Sequence, residues 1–102
     1  MTERFVLDAT FRITNRGLVL ATREWTGSIR VGQRVRLPNS GPEGRFELIT
    51  AIETGRKLDD QGQQVSWIGL LLGDVPESEI PRLQSQLRNG DTFSVHDPER
   101  SA

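Results

Sequence analysis

The amino-acid sequence predicts an all-β fold of about six strands with one short helix, and three observations predict it. Apolar residues recur at a period of two, as in Phe5, Leu7, Ala9, Phe11 and Ile13, the signature of strands with one buried face. Asn15-Arg16-Gly17, Thr26-Gly27-Ser28 and the Pro- and Gly-rich residues 38–44 interrupt these runs with residues that suit turns. Residues 76–88 alone change to helical spacing.

Residues 4–14 read as one long half-buried strand, with Phe11 and Ile13 continuing the buried face of Phe5 and Leu7 while Asp8 and Arg12 lie on the other. Asn15-Arg16-Gly17 tolerates φ > 0, and the β-prone run from Leu18 to Arg23 completes a hairpin. Ile29, Val31, Val35 and Leu37 sit at even spacing around Gly32, so one face of the next element is apolar and its back carries Arg30, Arg34 and Arg36. After the loop at 38–44, residues 45–54 alternate again, with Phe46 and Leu48 on one face and Glu47, Ile49, Ala51 and Glu53 on the other. Ile49 and Ala51 are apolar as well, so part of this strand is expected to be covered on both sides.

A polar turn region at 55–64 leads into Val65-Ser66-Trp67-Ile68-Gly69-Leu70-Leu71-Leu72, whose length suits a central strand. Gly69 marks a close backbone approach or the bend of a small barrel, and Trp67, in the most apolar run of the chain, is expected in the core. Pro76, acidic Glu77 and Glu79, apolar Ile80, Leu83 and Leu87, then Arg88 and Asn89-Gly90 spell a short helix with start and stop signals. Pro81 is compatible only with its first turn. Thr92 to His96 reads as a closing strand.

A chain of 102 residues forms one domain, long enough to remove roughly two thirds of its unfolded surface from water. It contains no Cys, which excludes a disulfide scaffold and thiolate chemistry. No apolar run approaches the ~20 residues of a membrane span, and Met1-Thr2-Glu3-Arg4 lacks the pattern of a signal peptide, so a cytoplasmic location is expected. The net charge of −1 hides an asymmetry: residues 9–42 carry six Arg against one acid, Glu24, while the rest of the chain is acidic. Clustered Arg attracts phosphate through charge and fork geometry, and it equally serves to solubilise the exposed face of a sheet.

Phe11, Ile13, Asn15-Arg16-Gly17, the run from Val19 to Arg23, Gly27 and Ile29-Arg30-Val31-Gly32-Gln33-Arg34-Val35 form one ordered block. Thr50-Ala51-Ile52-Glu53, Arg56-Lys57-Leu58, Asp60 with Gly62, and Ile68-Gly69-Leu70-Leu71-Leu72 form a second. The order and spacing of both blocks resemble the second domain of the elongation factor Tu family and other translational GTPases. That resemblance implies a closed, Greek-key-like barrel over residues 1–96, with the helix near Pro76 to Arg88 as an insertion; residues 97–102, past the last strand, are expected to be a flexible tail. It further implies a pocket for the aminoacylated end of transfer RNA, to which Phe11 and Glu53 correspond, and phosphate contacts from Arg16, Arg56 and Lys57. Three positions depart from the family pattern: Ala21 where Thr is usual, Gly55 where His or an aromatic residue is usual, and Trp67 where Asn is usual.

No Gly-x-x-x-x-Gly-Lys-Ser/Thr loop is present, so the family's GTP chemistry is not expected. His96 and Asp97 are adjacent, hence on opposite faces if the strand continues, and do not make a base with its orienter. Asp59-Asp60 and Glu77-Ser78-Glu79 lack the spacing of a metal loop, and neither cofactor nor metal is expected. The function expected is therefore non-enzymatic binding to RNA, transfer or ribosomal, or to a protein of the translation apparatus. The expected surface is Arg-rich and comprises Arg12, Arg30, Arg34 and Arg36, joined by Phe11, Arg16, Glu53, Arg56 and Lys57. The alternative is a protein-interaction domain that reuses the barrel without RNA.

Overall fold

The computed structural model describes residues 3–38 and 40–98. Residues 1, 2, 39 and 99–102, which include the start of the chain, one position of the 38–44 loop and most of the expected tail, lie outside the described residues. The chain forms strands β1 (Glu3–Val6), β2 (Ala9–Ile13), β3 (Gly17–Thr22), β4 (Glu24–Trp25), β5 (Arg34–Leu37), β6 (Arg45–Leu48), β7 (Ala51–Leu58), β8 (Gln64–Leu72) and β9 (Thr92–His96). A 3₁₀ turn at Glu77–Glu79 runs into helix α1 (Ile80–Gln86), inside the stretch where the sequence placed a helix, with Pro81 in the first turn.

The strands pair antiparallel in two sheets, one of five strands in the order β4-β1-β9-β5-β6 and one of four in the order β2-β3-β8-β7. Among the described residues no ladder joins the two sheets. The count exceeds the six strands expected because three runs bend and serve both sheets, one of them residues 45–58, which pair with β5 as β6 and with β8 as β7. Residues 3–13 pair with β4 as β1 and with β3 as β2, and residues 17–25 pair with β2 as β3 and with β1 as β4. Thr22 lies at the second bend, fully buried. Its hydroxyl donates to the Val6 carbonyl and accepts from the Glu24 amide at 3.0 Å, so the bend carries no orphaned polar group.

The bend overturns the expectation that Phe11 and Ile13 share the buried face of Phe5 and Leu7. In β2, Thr10 and Arg12 stand opposite Leu20 and Leu18, which are buried, whereas Phe11 stands opposite Val19 on the outer face and is 54% exposed. Opposed residues of an antiparallel pair share a face, so the inward phase moves by one residue as the chain changes sheet.

The core lies between the sheets: Leu18 and Leu20 from β3, Ile68, Leu70 and Leu72 from β8, Val35 and Leu37 from β5, and Phe93 and Val95 from β9. The Phe5 and Phe93 rings stack with centroids 4.9 Å apart. Ile80, Leu83 and Leu87 join the same cluster, so the helix lies on the core by the face its spacing predicted. Glu77 receives Arg12 at 2.8 Å and the Asn15 amide at 2.7 Å from the four-stranded sheet, while Glu79 receives Arg45 of β6 from the other. No helix among the described residues is long and apolar enough to cross a membrane.

Two further expectations are corrected. Residues 26–33 form no strand, and Val31 is 57% exposed because Gly32 turns the chain with φ +96°. The buried residue of that loop is Gln33, which accepts from the Arg30 amide at 2.7 Å and donates to Asp97 at 3.0 Å. Residues 45–54 do not form one strand: β6 ends at Leu48 and β7 starts at Ala51, Phe46 and Leu48 stand opposite Arg36 and Arg34 on the outside, and Ile49 between the two strands is fully buried.

Candidate functional site

The outer face of the four-stranded sheet is built by register. Phe11 opposes Val19, Val19 opposes Leu71, and Leu71 opposes Ala51, so one apolar ladder crosses all four strands. The next row runs from Ala9 through Ala21 and Gly69 to Glu53. Because side chains alternate along β8, placing Ile68, Leu70 and Leu72 in the core puts Trp67, Gly69 and Leu71 outside. Trp67 is thus a half-buried residue of the outer face, against the expectation that it belongs to the core.

Two glycines let the indole lie down on this face. A Cβ at Gly55, the cross-strand partner of Trp67, would stand 2.6 Å from the ring, and one at Gly69 would meet Val19 at 3.2 Å and the ring at 3.4 Å. Gly55 sits on edge strand β7, where an aromatic neighbour shields a residue with no side chain of its own.

Phe11, Ile13 and Val19 on one side and Ala51 and Trp67 on the other enclose a cavity of about 260 Å³, floored by Gly69 and Leu71. Arg16 and Glu53 supply its charged lining. Arg16 is held at the mouth by the β2–β3 turn: Asn15 has φ +62°, the Arg16 amide donates to the Ile13 carbonyl at 2.9 Å, and Gly17 follows with φ +128°. A Cβ on Gly17 would stand 2.6 Å from the Leu72 carbonyl oxygen, so the turn requires glycine there. Compared with models of known families and with solved structures, the chain matches none.

Phe11, Arg16 and Glu53, far apart in sequence, thus share one cleft. The remaining predicted residues are distributed. Arg34 and Arg36 emerge on the outer face of the five-stranded sheet, as their alternation with Val35 and Leu37 predicted. There the Arg34 guanidinium lies 5.0 Å over the Phe46 ring, and Phe46 meets His96 edge to face at 5.2 Å. Ser94 and His96 share a hydrogen bond of 2.9 Å, and Arg36 donates to the Gly41 carbonyl at 2.9 Å. Arg12 is turned to the helix side with Glu77, and Arg30 reaches toward Asp97 at 3.9 Å. Arg56 lines a shallow groove with Trp25, Thr54 and Ser66, and Lys57 approaches Asp8 at 3.7 Å. The six cations Arg12, Arg30, Arg34, Arg36, Arg56 and Lys57 therefore do not converge on one patch.

Sequence reading missed Val19 and Leu71 as cleft residues, and it put Trp67 near the pocket only through the resemblance while its apolar run argued for the core. The signal was present as parity: Trp67 and Leu71 are each one position out of phase with Ile68, Leu70 and Leu72. A continuous apolar run hides which phase faces inward until the strand has partners. The clearest electrostatic perturbation lies away from the cleft. The Arg45 guanidinium, hydrogen-bonded to Glu79, holds that carboxyl below the usual carboxylate range, and Glu79 together with Glu47 holds the guanidinium more firmly protonated.

Proposed function

We propose that the two sheets are the halves of a barrel like the second domain of elongation factor Tu and other translational GTPases, and that the chain is a non-enzymatic module of the cytoplasmic translation apparatus. In this reading the cleft takes an unpaired RNA end. The continuity of β1 with β2 and of β3 with β4 across the two sheets supports the barrel-like reading. The observation that carries the functional reading is the convergence of Phe11, Arg16 and Glu53 on one apolar cavity. An exposed phenyl ring and a half-buried indole offer faces for an unstacked base, each worth about 1–3 kcal/mol, and Arg16 stands where a phosphate would pass. Trp67 and Gly55 reshape the pocket relative to the family pattern, substituting stacking surface for hydrogen-bonding groups. Arg34 and Arg36 add long-range attraction from the other sheet.

The test is anisotropy titration of a short single-stranded RNA over a range of salt. Affinity is expected to fall with salt at a slope of roughly −0.7 per phosphate contact. Phe11→Ala should weaken binding by roughly tenfold or more without altering the slope, and Arg16→Gln should reduce the slope by about one contact. Absence of binding at low salt, or binding indifferent to both changes, overturns the reading. The aliphatic lining from Ile13, Val19 and Leu71 favours a second reading, in which the cleft receives an apolar side chain of a protein partner. Binding of that kind would weaken with Phe11→Ala and be nearly independent of salt.

A further inference from the structure

Among the described residues, the longest strand bordering either sheet is β7, eight residues from Ala51 to Leu58, which pairs on one side only. Its partner β8 is paired with β3 only from Ile68 to Leu72, so from Gln64 to Trp67 the ladder is a two-stranded arm. On that arm Arg56, Lys57 and Leu58 are exposed, and Leu58 is 65% exposed. A two-stranded ribbon is marginal in water, and a long edge that shows a row of unpaired backbone groups invites another strand.

Which strand fits is a question of register. A two-fold axis perpendicular to the sheet keeps each face on its own side, so residues opposed across it must have the same parity. With the axis through Gly55, residue i of one copy opposes residue 110 − i of the other. Glu53 then faces Lys57 on the outer face, twice by symmetry, and Ile52 faces Leu58 on the inner face, also twice. Thr54 faces Arg56, and Gly55 faces Gly55. Moving the axis by one residue to Thr54 opposes Glu53 to Gly55 and Ile52 to Arg56, and both matches are lost. Charges on an edge ordinarily repel an incoming strand; here their order about Gly55 makes the strand complementary to itself.

We infer that the free edge of β7 is a homodimer interface, at which a second copy of this chain pairs antiparallel about Gly55 and joins the two four-stranded sheets into one of eight strands. Ile52 already packs against the core, so Leu58 of the partner subunit extends an existing apolar surface. Lys57 keeps donors for Glu53 of the partner subunit, because its contact with Asp8 is long, 3.7 Å, and an ammonium has three hydrogens. With no side chain at the axis, Gly55 leaves the outer face there to the two Trp67 indoles. The interface shares Glu53 with the cleft but does not depend on RNA binding, and it is tested by mass and cross-linking alone.

Sedimentation equilibrium of the whole chain should show a reversible monomer–dimer equilibrium. Lys57→Glu, which sets like charges opposite one another at two places, should weaken the dimer by about tenfold. Glu53→Lys combined with Lys57→Glu restores the opposition and should recover it. The chain has no Cys, so introduced thiols report without interference. Glu53→Cys mixed with Lys57→Cys should oxidise to the mixed disulfide, because directly opposed Cα atoms lie about 4.5–5.5 Å apart, within disulfide reach. Either variant alone should form no disulfide-linked dimer on oxidation, since its two thiols would be displaced by four residues, about 14 Å. A monomer at every attainable concentration overturns the proposal. So does a dimer that ignores Lys57→Glu, or one that cross-links equally in single and mixed samples.

Discussion

The outer faces of the two sheets obey the same alternation of side chains and arrive at opposite surfaces. On the four-stranded sheet, Phe11, Val19, Leu71 and Ala51 stand in one cross-strand row, so apolar groups from four strands add up to a cleft. On the five-stranded sheet, Arg34 opposes both Leu48 and His96, and Arg36 opposes Phe46 and Ser94, so each cation lies between uncharged or aromatic neighbours rather than in an apolar row. Register determines whether exposed apolar residues line up into one site or are separated by cations. Composition alone pointed to the Arg-bearing face; geometry points to the face with one Arg and a cavity.

Gly55→Val is the change that most sharply breaks the difference. A Cβ there would press on the indole at 2.6 Å, so Trp67 must leave its position across the sheet, and the wall of the cleft leaves with it. We expect a loss of about 1–3 kcal/mol in urea unfolding, the usual cost of overpacking, together with a red-shifted Trp emission. Unchanged stability and emission would mean that Gly55 does not hold the ring in place.

On the other face the corresponding change is Phe46→Ala. It removes the ring beneath the Arg34 guanidinium and the edge contact with His96, and it should cost about 1 kcal/mol, because the ring is only half buried and the cation–π contact is partly solvated. RNA affinity should change little. A loss of affinity as large as that of Phe11→Ala would move the functional face to the five-stranded sheet.

Much of the strand and helix content was legible because period-two and helical spacing are local. The alternation of Arg34 and Arg36 with Val35 and Leu37 correctly set the faces of β5, and Ile80, Leu83 and Leu87 correctly set the buried side of α1. The orientation of β2 was not legible, since Phe5, Leu7, Ala9, Phe11 and Ile13 keep one phase in sequence while the phase facing the shared core moves by one residue where the chain passes from one sheet to the other. Trp67 was misplaced for a related reason: where every residue from Ile68 to Leu72 is apolar or glycine, only pairing with β3 and β7 shows which phase is inside. The cleft was legible only in part, through Phe11, Arg16 and Glu53, because its remaining walls depend on register, which no local pattern specifies.

The smallest effect concerns what ties the two sheets together. Glu77 binds the helix unit to Arg12 of the four-stranded sheet, and Glu79 binds it to Arg45 of the five-stranded one. Arg45 depresses the folded-state pKa of Glu79 below its unfolded value, chiefly by the hydrogen bond between them. Between those two values the unfolded chain binds more protons than the folded one, so stability rises with pH across that window. The contribution of Glu79 is fully present above its unfolded pKa and is lost as pH falls through the depressed one. Glu79→Gln removes this titration, and urea unfolding followed from neutral to acid pH should show a shallower acid decline than the wild type. Both partners are partly exposed, so added salt should shrink the difference. Parallel acid declines at low salt would show that the tie between helix and β6 carries no pH-dependent stability, leaving packing of Ile80, Leu83 and Leu87 as what seats the helix between the sheets.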